Sequence, residues 1–135
     1  MPKSNFDLVR RFHEVFGVVN MTLPTLPTKE LAQLRIALIE EELQELKDAI
    51  EVKDIVEIAD ALTDLLVVTY GAGHVMGIDL DACFKEVHNS NMSKLGEDGN
   101  PIYRVDGKVL KGPNFVEPDL QAVLAGQGYV KDCQV

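Results

Sequence analysis

Between Leu31 and Asp64 the sequence carries two helical runs whose packing faces turn acidic. At about 100° of rotation per residue, Leu31, Leu34 and Leu38 fall in one narrow sector of the first run. Glu41, Glu42 and Glu45 continue the same sector, and Ala49 follows them. In the second run Glu57, Asp60 and Asp64 stand beside the apolar stripe of Ile58, Leu62, Leu65 and Thr69. A buried charge without a partner costs several kcal/mol or neutralises itself through its pKa. None of the first three acids has Lys or Arg three or four residues further on, where a helical partner would sit. The pattern requires a cation from outside the two helices. Carboxylate oxygens converging from two helices suit magnesium, with manganese as a substitute.

The competing reading is a pair of solvated acidic faces, with Arg35 and Lys53 each neutralising one acid. It suits Glu40, Asp48 and Glu51, which fall outside the apolar sector. It suits the other six carboxylates badly, because they occupy the face a helix normally buries. A di-iron carboxylate bundle would need Glu-x-x-His repeats, and no Glu here is followed three residues later by His.

The chain's 135 residues, 46% of them hydrophobic, suffice for one domain with a modest core. A net charge of -9 argues against a nucleic-acid surface, which needs a basic patch. Cys83 and Cys133 form neither a disulfide framework nor a zinc spacing, pointing to a reducing compartment. Met1-Pro2-Lys3-Ser4 leads into an amphipathic pattern without a signal-peptide apolar region. The most apolar stretch, Leu65 to Ile78, is too short to span a bilayer. The expectation is a cytoplasmic protein with no membrane or nucleic-acid partner, comprising a domain over 1–125 and a loose tail over 126–135.

Ser4 is placed to cap a first helix to about Phe16, with Phe6, Val9, Phe12 (or His13) and Phe16 at helical spacing and Gly17 as the stop. Pro24 and Pro27 mark an extended connector. Thr28 caps the long acidic helix to about Ile50. A third helix starts near Ile55 and extends to Tyr70 or His74, and a fourth, capped by Asp79 or Asp81, reaches Asn91. Tyr103-Arg104-Val105 and Lys108-Val109-Leu110 flank Asp106-Gly107, the signature of a two-residue hairpin turn. Asp119 caps a short helix to about Leu124. The predicted fold is mostly α: an antiparallel bundle of about four helices with a short C-terminal β-hairpin.

Glu41-Glu42-Leu-Gln-Glu45 followed by Glu57-Ile-Ala-Asp60 resembles the EExxE…ExxD signature of the MazG-like, all-α nucleoside triphosphate pyrophosphohydrolases. That superfamily includes dimeric dUTPases and phosphoribosyl-ATP pyrophosphohydrolase. The resemblance extends from Phe12-His13 and Phe16-Gly17 to His88-Asn-Ser90-Asn91-Met92-Ser-Lys94, Asp106-Gly107-Lys108 and Lys111-Gly112-Pro113. It implies magnesium-dependent cleavage between the α- and β-phosphates of a nucleotide, in a homodimer or homotetramer. It implies Glu42, Glu45, Glu57 and Asp60 as metal ligands and Glu41 or Glu42 as general base. Asp64 stands where many relatives have an aromatic residue or His, and the resemblance leaves open whether it is a ligand. Asn91 and Lys94, at the end of the fourth helix, are candidate substrate contacts, as is His13 beside the phenylalanines. The alternative is a catalytically silent nucleotide- or metal-binding helical oligomer.

Overall fold

A computed structural model describes residues 3–131, which form five helices. Helix α1 covers Asn5–Phe16, α2 Lys29–Glu51, α3 Ile55–Met76, α4 Leu80–Met92 and α5 Leu120–Gly126. Each start has a side-chain cap satisfying amide groups that the helix leaves free. Ser4 and Asp7 exchange reciprocal bonds of 3.1 and 3.0 Å, a capping box. Thr28 accepts from the Leu31 amide, Asp54 from Val56 and Glu57, Asp79 from Ala82 and Asp119 from Ala122. Gly17 and Gly77 stop α1 and α3 in the left-handed region, at φ of 71° and 68°.

The organising unit is α2 packed on α3, with α1 laid against α3. Between α2 and α3 the chain reverses in a few residues, with Lys53 at φ 58°. Ala49 and Ala61 are buried at this end of the pair, where small side chains let the backbones approach. At the other end, the Phe6 ring stacks on His74 at 3.7 Å, and His74 Nε2 donates to the Phe6 carbonyl at 2.7 Å. The connector after α1 is tied to the end of α3 by the Met21 amide on the His74 carbonyl and the Thr25 amide on that of Met76, both 2.8 Å.

Arg35 is buried without a carboxylate. Its guanidinium donates to the Val68 carbonyl at 3.2 Å and lies over Gly71, where an added Cβ would come 2.2 Å from it. Lys53 is exposed, and among the described residues neither Arg35 nor Lys53 forms an ion pair. The solvated-face reading therefore loses both its counterions.

One expectation is corrected, the C-terminal hairpin. The helices expected from the sequence are all present. Helix α4 starts against α3, where Leu80 lies over Gly73, packs chiefly with α5, and leaves an open crevice lined by Tyr70, Asp81, Phe84, Lys85 and His88. Phe12 and Phe16 are largely exposed and lie against each other at 4.7 Å. The hairpin is reduced to one antiparallel bridge, Tyr103 to Val109, without strands among the described residues. Its turn is one residue longer than expected. The Gly107 amide bonds the Arg104 carbonyl at 2.9 Å, Gly107 sits at φ 91°, and Arg104 pairs with Lys108. That is a three-residue loop closed by a left-handed glycine. Asp106 drives it by accepting from both the Arg104 side chain and the Lys108 amide. The flanks cannot lengthen because Gly96 is bonded to Asn100 on one side and Gly112 to Lys94 on the other.

Candidate metal centre

Packing α2 on α3 brings Glu42, Glu45 and Asp64 together, each offering an oxygen within 4.8 Å of the others. Glu42 and Asp64 are half-buried and Glu45 is exposed. Burial raises the Glu42 carboxyl to about 7, helped by a hydrogen bond with Glu45 and by the charges of Glu45, Asp64 and Asp60. Burial, then the charges of Asp60 and Glu45, raises Asp64 as well. Near neutral pH the metal-free cluster therefore holds a proton that a cation would displace. Glu42 Oε2 is buried with no hydrogen-bond partner. An orphaned carboxylate oxygen facing two further acids fits a hard divalent cation.

The acidic groove continues past Glu45. A cavity of about 470 Å³ is lined by Glu45, Asp48, Ala49, Val52, Glu57, Asp60 and Ala61. The four ligands expected from the sequence thus divide into two groups joined at Glu45. Glu42 and Glu45 converge with Asp64; Glu57 and Asp60 lie along the cavity wall. Asp64, left open by the resemblance, is the third member of the cluster. Its signal was its place on the acidic stripe, four residues after Asp60. Glu41 is exposed on α2, whereas Glu42 holds the orphaned oxygen.

At the end of α4, Asn91 is exposed and Lys94 half-buried. The two serines of this motif have a structural task that the sequence did not reveal. Ser90 Oγ donates to the Val116 carbonyl at 2.8 Å, and the Val116 amide donates to Ser93 Oγ at 2.9 Å. They clip the segment after the turn onto α4. His13, expected to touch substrate, lies instead in the interior. It is 3% exposed, and its Nδ1 faces the Val19 carbonyl and Asn20 Oδ1 at 3.2 and 3.1 Å. Burial, with Arg35 nearby, lowers its pKa and keeps it neutral.

Residues 9–91 match the family model of phosphoribosyl-ATP pyrophosphohydrolase. The chain belongs to this MazG-like pyrophosphohydrolase family. The matched range takes in every acid of the groove and stops at Asn91, so the clipped segment lies beyond it. The chain is 33% identical over 112 residues to an uncharacterised protein, L479, of Acanthamoeba polyphaga mimivirus. That alignment covers 80% of this chain and 42% of the relative, so the chain spans less than half the relative's length. It is also similar to the crystal structure of a candidate NTP pyrophosphohydrolase from Exiguobacterium sp. 255-15. There the TM-score is 0.49 at 26% identity, covering 94% of this chain and 95% of that one. In this pyrophosphohydrolase family member, no helix among the described residues is long and apolar enough to cross a membrane.

Proposed function

We propose that the chain is a magnesium-dependent nucleotide pyrophosphohydrolase, cleaving the α–β phosphate bond of a (deoxy)nucleoside triphosphate to monophosphate and pyrophosphate. A house-cleaning role toward deoxynucleotides fits this reading, as does a cytoplasmic setting in which Cys83 stays a free thiol. The observation that carries it is the convergence of Glu42, Glu45 and Asp64 around an orphaned, buried Glu42 oxygen, opening into the cavity of Glu57 and Asp60. Glu42, Glu45 and Asp64 would hold one magnesium ion, or manganese in its place, with Glu57 and Asp60 available to a second. Magnesium there supplies neutralisation of phosphate oxygens and a bound water. Glu42 or Glu41 is suited to take a proton from the attacking water. Asn91 and Lys94 are assigned to the sugar or phosphates.

The working unit in this reading is a homodimer or homotetramer. Among the described residues the buried apolar set is only Phe6, Val9, Ala49, Ala61 and Val75. Leu62 and Leu66 stay exposed on α3, and Phe84 lines the open crevice beside α4. A second copy covering that crevice would complete the core. A monomer in sedimentation at micromolar concentration contradicts this part of the reading.

The activity is tested by incubating the protein with a panel of ribo- and deoxynucleoside triphosphates and magnesium, and separating the products. At least one substrate should give monophosphate plus pyrophosphate, and chelation should abolish the reaction. Orthophosphate as the first product would contradict the assignment. Metal binding without turnover of any nucleotide would favour a silent binding module.

A further inference from the structure

A second cavity lies away from the acidic groove, at the other end of α3. It holds about 240 Å³ and is bounded by α1, the connector after it, the end of α3, the start of α4 and the residue that follows α5. His74 in its wall lies beyond Asp64 on the same helix, about 15 Å along the axis at about 1.5 Å per residue. Asp7, Arg10, Asp79, Asp81 and Gln127 share the wall with it. Phe6, Met21 and Ile78 give the cavity an apolar strip.

Two buried acceptors in this wall have no partner. His74 is 1% exposed, and its Nε2 donates to the Phe6 carbonyl, which leaves Nδ1 with a bare lone pair and no bond. Burial lowers the pKa of His74 and keeps the ring neutral. Gln127 Oε1, brought in from the end of α5, is buried and unbonded as well. Orphaned acceptors beside an open space call for a donor that occupies it. The carboxylates point the same way. Asp7 serves the capping box of α1 and Asp79 caps α4, each through one oxygen, and Asp81 accepts from the Ser4 hydroxyl. The second oxygen of each is unbonded, and none of the three is in an ion pair among the described residues. Three aspartates against Arg10 leave the wall with an excess of two negative charges.

We propose that this cavity binds a short aliphatic diamine, held through Gln127, His74 and the free oxygens of Asp79 and Asp81. An ammonium group carries three donors and no acceptor, the complement of the orphaned atoms. Two such groups balance the excess charge, and the methylenes between them suit the apolar strip. A metal ion fits less well. Among the described residues, the acids and histidines whose ligand atoms converge closely enough to share one are Glu42, Glu45 and Asp64, in the other site. A bound diamine would bridge α1, α3, α4 and the end of α5, and so favour the folded state.

The test is calorimetric titration of the full-length chain in chelator with diaminobutane, against butanediol as a neutral ligand of the same length. The acidic groove also attracts cations, so Glu45→Gln is titrated alongside. The diamine should bind and the diol should not. Gln127→Leu should weaken diamine binding by on the order of tenfold or more, as loss of a hydrogen bond to a charged group does. Asp81→Asn, which keeps an oxygen for Ser4, should weaken it similarly, and Glu45→Gln should leave it unchanged. Gln127→Leu should melt no lower than the wild type, because it removes a buried atom without a partner. Diamine binding should also shift the NMR signal of His74 Nδ1. Failure of the diamine to bind, or equal binding of the diol, leaves the cavity to water and overturns the proposal. So does diamine binding that disappears in Glu45→Gln, or that Gln127→Leu and Asp81→Asn both leave unchanged. None of these readouts depends on hydrolysis.

Discussion

Glu42 shows what the acidic groove costs the metal-free fold. Its carboxyl titrates at about 7 because the packing of α2 on α3 buries it and sets it against Glu45, Asp64 and Asp60. In the unfolded chain it titrates near the ordinary carboxylate value, about 4.5. Between those pH values the folded state binds more protons than the unfolded state, so stability falls as pH rises through the window. The raised pKa of Asp64 acts in the same direction. In chelator, the melting temperature of the wild type relative to Glu42→Gln should therefore decline from about pH 4.5 to about pH 7, and Glu42→Gln should melt higher at pH 8. The buried His13 and His74 act in the opposite direction, but equally in both proteins. Magnesium at pH 8 should raise the wild type more than the variant, since it binds the folded groove alone. A variant that melts lower than the wild type in chelator would make Glu42 a structural partner and not a strained ligand. Much of this was legible in the sequence, because helical spacing alone put the six acids on the packing sector. Which three converge was not. That depends on the rotation of α3 against α2, which brings Asp64 onto Glu42 and Glu45.

Among the elements, the helices declare themselves through their ends. Ser4, Thr28, Asp54, Asp79 and Asp119 are all caps in the structure, and Gly17 ends α1 where its left-handed φ permits it. The segment after α4 was less legible because its contacts are made at a distance in sequence. Ser90 and Ser93 carry no role of their own in the sequence, yet they hold Val116, 26 and 23 residues away. Asp106-Gly107 signalled a turn correctly, but the Gly112 amide's bond to the Lys94 carbonyl stops the ladder after one bridge. His13 is drawn inside for a related reason: its partners Val19 and Asn20 lie on the connector. The motif's polar residues thus divide, the serines to structure and Asn91 and Lys94 to the proposed substrate. Lys94→Ala should lower kcat/KM by on the order of tenfold, equivalent to about 1.4 kcal/mol. Melting should change little, because the bond to Gly112 uses the Lys94 backbone carbonyl. Unchanged kinetics would return Lys94 to the role of an ordinary helix-end residue.

At the scale of the whole molecule, one chain positions the acids but leaves much of its apolar surface uncovered. The crevice beside α4 and the exposed Phe12 and Phe16 belong to this open surface. The sequence signalled the shortage of cover through its apolar stripes, but the divergence of α4 from α3 is a tertiary feature that periodicity does not encode. The centre of the account is that the α2–α3 groove is where the cation acts. The most direct measurement is pyrophosphate release against magnesium concentration, made side by side on the wild type, Glu45→Gln and Asp64→Asn. Each lost ligand should move the half-maximal magnesium concentration upward by tenfold or more, with saturating metal restoring part of the rate. Variants that release pyrophosphate with the wild-type dependence on magnesium would contradict the account and place the cation elsewhere.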